Sequence, residues 1–171
     1  VSRYDGQAFT TFTAADGLAH DNVVSIFEDR SGQLWFATNE GVSRYDGQVF
    51  TTFTTADGLP NGWARPVLED QQGQLWLATA GWFAKGTGAY RYDGKRFTAF
   101  TTEDGLASNE VTTVMEDRQG ALWFATADRG LSCFDGSEFT YFTTADGLIH
   151  NRVETIIEDR FGHLWFGTVK G

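Results

Sequence analysis

Residues 23–53 read VVSIFEDRSGQLWFATNEGVSRYDGQVFTTF, and this stretch decides the fold. Val23 to Glu28 is rich in β-branched and aromatic residues, and Asp29-Arg30-Ser31-Gly32 supplies a turn ending in the glycine that a hairpin bulge favours. Leu34 to Thr38 is a second strand, and Asn39-Glu40-Gly41 leads into a third, Val42 to Tyr45. Asp46-Gly47 suits a two-residue type I′ turn, so Val49 to Thr54 returns antiparallel as a fourth strand. Apolar residues at helical spacing are not sustained, while Thr, Phe, Val and Gly dominate. The stretch predicts four short antiparallel strands and no helix.

The same order recurs along the chain. Leu-Trp pairs end at Trp35, Trp76, Trp123 and Trp165, preceded by Glu28-Asp29, Glu69-Asp70, Glu116-Asp117 and Glu158-Asp159. Val1 to Leu18 and Val42 to Leu59 differ only at Ala8/Val49 and Ala14/Thr55. Units 1–41, 42–88, 89–130 and 131–171 account for all 171 residues. A repeated four-stranded antiparallel module of this length is the signature of a β-propeller blade, so the fold class is all-β, with each repeated Trp packing between blades. The units are cut in mid-blade. Val1 to Thr13 supplies third and fourth strands, and Val153 to Thr168 supplies first and second strands, so the two ends are complementary halves. Three outcomes fit: a four-bladed ring closed on itself, two copies forming an eight-bladed ring, or part of a longer propeller array. The reading favours association as a homo-oligomer (dimer) or a longer array.

Composition narrows the function. With 23 acidic against 13 basic residues and a net charge of −10, the chain lacks the clustered Lys and Arg that nucleic acid or an anionic membrane requires. Charged residues are 21% and aromatics 15%, a balance that builds a core rather than a disordered chain. Cys133 is the single cysteine and forms no internal disulfide. No Gly-rich phosphate loop opens a helix and no Ser-His-Asp or Cys-His spacing is recognisable, so no catalytic residue and no cofactor are assigned.

The recurring pattern FTTxDGLxxNxVxxIxEDRxGxLWFxTxxGVSRYDGxxF, written as Phe139 to Gly171 and then as Val42 to Phe50, resembles the two-component regulator propeller repeat. Gln71 replaces the Arg of Glu-Asp-Arg, Cys133-Phe134 replaces Arg-Tyr, and the second unit is longer than the first. The resemblance implies the sensing region of membrane-bound hybrid histidine kinases, placed in the periplasm or outside the cell, where similar propellers respond to oligosaccharides. Related propellers also include lyases that use channel-mouth His and Glu with a metal, a reading for which His20, His150, Glu110 and Glu154 are the candidates here.

Function divides by face. The turns between first and second strands, and between third and fourth, are tight; the fourth-to-first connections, Ala15 to Asn22 and its copies, and the second-to-third connections are long. Binding residues concentrate on loops held by a rigid scaffold. The copies differ just after each Asp-Gly-Leu: Ala19-His20-Asp21-Asn22, Pro60-Asn61-Gly62-Trp63, Ala107-Ser108-Asn109-Glu110 and Ile149-His150-Asn151-Arg152. Drift in exposed loops explains that variation as readily as a ligand face does. The second unit adds Trp63 and the loop Ala80 to Thr87, which holds Trp82, Phe83 and Lys85. Aromatics beside Asn61, Lys85 and Arg65 suit a sugar ring or a peptide; the competing reading folds Trp82 and Phe83 down over the blade core. The candidate ligand set joins these residues to His20, Asn22, Glu110, His150 and Arg152.

Other features read as structural. His20 and His150 without a third fixed ligand make no metal site. Asp16, Asp57, Asp104 and Asp146, and likewise Glu28, Glu69, Glu116 and Glu158, repeat identically, which favours turn or capping roles over catalysis. Pro66 marks an edge strand lining a channel, because Pro cannot donate to an interior ladder. A self-assembling scaffold without a small ligand is the alternative to a binding or sensor module.

Overall fold

A computed structural model describes residues 1–60, 63–80 and 85–170. Strands β1 (Ser2–Tyr4) and β2 (Phe9–Thr11) form a two-stranded sheet. Strands β3 (Val23–Glu28), β4 (Leu34–Thr38), β5 (Gly41–Tyr45) and β6 (Phe50–Phe53) form a four-stranded sheet in that order. Two more four-stranded sheets follow: β7 (Arg65–Glu69), β8 (Leu75–Ala78), β9 (Ala89–Tyr92) and β10 (Phe97–Phe100), then β11 (Val111–Glu116), β12 (Leu122–Thr126), β13 (Leu131–Phe134) and β14 (Phe139–Phe142). Strands β15 (Val153–Glu158) and β16 (Leu164–Thr168) make a second two-stranded sheet. Each sheet is a meander of sequence neighbours, the propeller blade that the repeat predicts. Pro66 lies on β7, the edge strand of its sheet, where proline is tolerated. The chain divides into two compact units, Val1–Pro66 and Val67–Gly171. Among the described residues no helix is long and apolar enough to cross a membrane.

One aspartate per repeat organises both the tight turn and the tryptophan. Asp70 Oδ1 accepts the backbone N–H groups of Gln72 (3.0 Å) and Gln74 (2.8 Å), while Oδ2 accepts Trp76 Nε1–H at 2.8 Å. Asp29 does the same for Ser31, Gln33 and Trp35, and Asp117 for Gln119, Ala121 and Trp123. Burial works to raise the Asp29 carboxyl, but the Ser31 hydroxyl, the Trp35 indole and two backbone N–H groups outweigh it and hold the group below its ordinary value. A carboxyl depressed on folding stabilises the fold above the unfolded value near ~4 and loses that contribution as pH falls through its folded value. Gly32, at φ +80°, closes the turn by donating to Asp29 O, as the bulge reading expects.

The two-residue type I′ turn expected at Asp46-Gly47 does not form. The register pairs Tyr45 with Phe50, so four residues make the connection, and every described residue with positive φ is a glycine. Asp46 instead accepts the N–H groups of Gln48 (2.8 Å) and Val49 (2.9 Å), an Asx turn in which only Gly47 is left-handed. Those N–H groups, Val49 first, hold the Asp46 carboxyl below its ordinary value.

The chain is not wholly without helix. Single 3-10 turns occupy Ala14–Asp16, Thr55–Asp57 and Thr144–Asp146. In each, the Asp-Gly-Leu aspartate turns back to accept the N–H of the preceding threonine, as Asp57 Oδ2 does from Thr54 at 2.8 Å. Asp104 caps Thr101 in the same way, which gives this aspartate its capping role in all four copies.

Within the second unit the packing between blades is visible twice. The Trp76 ring lies 4.9 Å from Phe100 of its own blade and meets Phe124 of the next edge-on at 5.4 Å. Trp123 stacks on Phe142 at 5.4 Å and reaches Phe166 of the next sheet at 5.7 Å. On the tight-turn side, the repeated glutamate staples neighbours: Glu116 accepts the N–H of Gln71, and Glu158 that of Arg118. Arg91 lies over Trp76 and Phe100, and Arg44 over Trp35 and Phe53, whereas the equivalent opposite Trp123 is Cys133. Cys133→Arg restores that cation–π contact and is expected to raise stability by about 0.5–1 kcal/mol in urea unfolding; a loss of stability contradicts this assignment.

Candidate ligand face

The long connections are built by backbone ties between neighbouring blades. Gly88 N–H donates to Asn109 O at 2.8 Å, and Gly130 N–H to Asn151 O at 2.7 Å, so each second-to-third loop is fastened to the fourth-to-first loop of the next blade. Asn109 and Asn151 side chains in turn accept the N–H groups of Thr102 and Thr144, each at 2.8 Å. The inner strands β11 and β15 run side by side, with Thr112 Oγ1 donating to Val153 O at 2.7 Å. Bulges between Val23 and Ser25, Val111 and Thr113, and Val153 and Thr155 sit at the loop end of each inner strand and re-aim the side chains there.

This scaffold sorts the candidate residues. His20 Nδ1 accepts the N–H of Asn22, and His150 Nδ1 that of Arg152, both at 2.9 Å. Ser108 Oγ accepts Glu110 N–H at 3.0 Å from the equivalent position. His20 and His150 therefore close their own turn as Ser108 does; a shared demand for an acceptor, visible only when the copies are aligned, explains this variable position. His150→Ser is expected to leave stability within about 0.5 kcal/mol, and His150→Ala to lower it by about 1 kcal/mol, as read by denaturant unfolding. Equal losses in both variants contradict the acceptor role.

The position two residues on behaves differently. Asn22 is exposed, while Trp63, Glu110 and Arg152 are half-buried. Glu110 Oε2 accepts Gly86 N–H at 2.8 Å, which brings the extra loop of the second repeat, with exposed Lys85, beside it. Arg152 Nε donates to Glu154 Oε1, and this ion pair lies at the start of the strand beside that of Glu110. Arg65 is half-buried on β7. Asn61, Trp82 and Phe83 lie outside the described residues. The structure thus brings Lys85, Glu110, Arg152 and Glu154 onto one face of the second unit, an array of both charges able to hydrogen-bond a polar ligand. Among the described residues no group of three or more His, Cys, Asp and Glu is placed to hold a metal ion.

Comparison with known proteins agrees with this architecture. Residues 17–40, 105–128 and 147–170 match the family described as two component regulator propeller, each stretch covering a loop-face connection and the first two strands of a repeat. The fold is similar to the extracellular domain of a protein described as a hybrid two-component system of B. thetaiotaomicron, at 26% identity and TM-score 0.78, over 95% of this chain and 24% of that one. It is also similar to the extracellular domain of a protein described as a one-component system of the same organism, at 21% identity and TM-score 0.72, over 96% and 24%. Virginiamycin B lyase from Staphylococcus aureus shares the fold at 15% identity and TM-score 0.66, over 86% of this chain and 49% of that one. The chain spans about a quarter of the length of the first two structures. No curated protein matches it in sequence.

Proposed function

We propose that this chain, which carries two-component regulator propeller repeats, is a non-enzymatic recognition module that senses a polar ligand, an oligosaccharide, on its long-loop face outside the cytoplasm. One observation carries the reading. Where framework positions repeat, the position two residues after the turn acceptor holds Glu110 in one blade and Arg152 in the next, each fixed by a hydrogen bond at a bulged strand end. A rigid frame with a changing polar side chain per blade is how a loop face acquires specificity. Fold likeness alone assigns no function.

The residues that a metal-assisted lyase needs are already engaged in this chain. His20 and His150 use Nδ1 for their own turns, Glu110 holds Gly86, and Glu154 pairs with Arg152, which supports binding over chemistry. The location follows the extracellular domains that this fold resembles.

A glycan array probed with the 171-residue chain, Arg152→Gln and Glu110→Gln tests the reading. Wild type is expected to bind one class of oligosaccharide, and each variant to bind it at least about 10-fold more weakly, the loss of one charge-assisted hydrogen bond. No glycan bound by wild type, or equal binding by all three proteins, overturns it.

A further inference from the structure

The loop face turns its acceptor side chains inward and leaves two cations facing out. In the second unit, Glu110 Oε2 accepts Gly86 N–H at 2.8 Å, Ser108 Oγ accepts Glu110 N–H at 3.0 Å, and Asn109 Oδ1 accepts Thr102 N–H at 2.8 Å. In the following repeat Asn151 Oδ1 accepts Thr144 N–H, and Glu154 Oε1 accepts Arg152 Nε–H. Lys85 and Arg129 are different. Both are exposed, and among the described residues neither side chain enters an ion pair or a hydrogen bond.

These two cations flank Glu110. Lys85 precedes Gly86, whose N–H binds the Glu110 carboxylate and which lies so close that an added Cβ would stand 2.6 Å from Glu110 Cα. Arg129 belongs to the β12–β13 connection, where Ala127 donates its N–H to Glu110 O at 2.8 Å. Arg129 N–H in turn donates to Thr126 Oγ1 at 3.0 Å, which fixes the backbone that carries the guanidinium. The β8–β9 connection therefore holds the Glu110 side chain and the β12–β13 connection its backbone, both within complete four-stranded sheets.

Negative charge nearby is mostly occupied. Glu110 binds Gly86 and Glu154 binds Arg152, which leaves exposed Asp128 as the one carboxylate of the two second-to-third connections, beside two open cations. The net charge of −10 opposes an anion at long range, but at ~0.15 M salt the screening length is about 8 Å, so adjacent groups decide. A guanidinium fork and an ammonium are the donors that suit a carboxylate or a sulfate. The geometry points to an acidic ligand: Lys85 and Arg129 hold the carboxylate or sulfate group of an oligosaccharide bound at Glu110. This rests on the recognition reading above and narrows its ligand to an acidic saccharide.

Isothermal titration of the 171-residue chain with two matched pairs tests it: trigalacturonate against its methyl ester, and a sulfated galactan oligosaccharide against its desulfated form. The acidic member of one pair is expected to bind at least about 10-fold more tightly than its neutral partner, and the pair that shows this identifies the group. Arg129→Gln and Lys85→Gln should each weaken that acidic glycan by about 10-fold, the loss of one charge-assisted hydrogen bond, and leave its neutral partner unchanged. Lys95→Gln removes another exposed lysine, on the tight-turn side, and should bind as wild type does. Neutral glycans bound as tightly as acidic ones overturn the acidic assignment while recognition itself stands; no binding of either kind overturns both. An equal loss in Lys95→Gln and Arg129→Gln overturns the placement at Lys85 and Arg129.

Discussion

Trp76→Ala is expected to lower stability by about 4 kcal/mol, within the range for truncating a buried aromatic. Trp76 is 1% exposed and sits in a cluster with Ala78, Ala89, Leu106, Val111, Val114 and Phe124, so its removal opens a cavity that two blades share. The change also strips one donor from Asp70, itself 1% exposed, whose Oδ2 accepts the indole N–H. Leaving a buried acceptor short of a partner adds to the transfer and cavity costs. Unfolding in urea should show the loss directly, and the melting temperature should fall by roughly 8–16 °C. Trp165→Ala, at the equivalent position, should change the stability of a monomeric chain by less than about 0.5 kcal/mol, because that ring is already in solvent. Equal losses at the two positions would mean that the repeat, rather than the neighbouring blade, sets the energy.

Gly130→Ala is the second large effect, expected at about 3 kcal/mol. Gly130 immediately precedes β13 at φ +80°, and a Cβ there would lie 2.1 Å from Phe142 O, a backbone atom that has no rotamer to retreat into. Strain at a left-handed position and a backbone clash each cost about 1–3 kcal/mol. The same residue donates its N–H to Asn151 O and accepts the Thr126 hydroxyl at 2.9 Å, so displacing it also loosens the loop face. Gly136 separates the two costs. It has φ +99° but nothing within 4 Å of the added carbon, so Gly136→Ala carries strain alone and should cost about 1 kcal/mol. Thermal unfolding of the pair checks this; a Gly136 variant as damaged as the Gly130 variant contradicts the steric argument.

Much of the blade was legible because its signals are local. Strand runs, the Asp29–Gly32 turn and the capping aspartates each depend on residues within a few positions of one another. The hairpin after Asp46 was misread because Asp-Gly fits a type I′ turn by composition, while the Tyr45–Phe50 register leaves four residues to span. The Asp70–Trp76 bond has a signature in the sequence: the spacing from Asp to Trp is identical at Asp29 and Trp35, Asp117 and Trp123, and Asp159 and Trp165. The loop face was legible only in part. His20 and His150 belong to the candidate ligand set because they lie in the variable stretch after Asp-Gly-Leu, and the structure adds that each Nδ1 accepts a backbone N–H of its own turn, as Ser108 Oγ does.

By itself the sequence determined the blade, its four-fold repetition and the cut through the first and last copies, since hydrogen-bonded turns and alternating strands answer to near neighbours. Only the tertiary structure decided what each repeated residue experiences. Trp76 and Trp165 share a motif, an aspartate partner and a strand position, yet one is enclosed and the other lies open. The difference is the presence of a sheet on the far side of the ring, and burial is a property of what packs against a residue rather than of the residue.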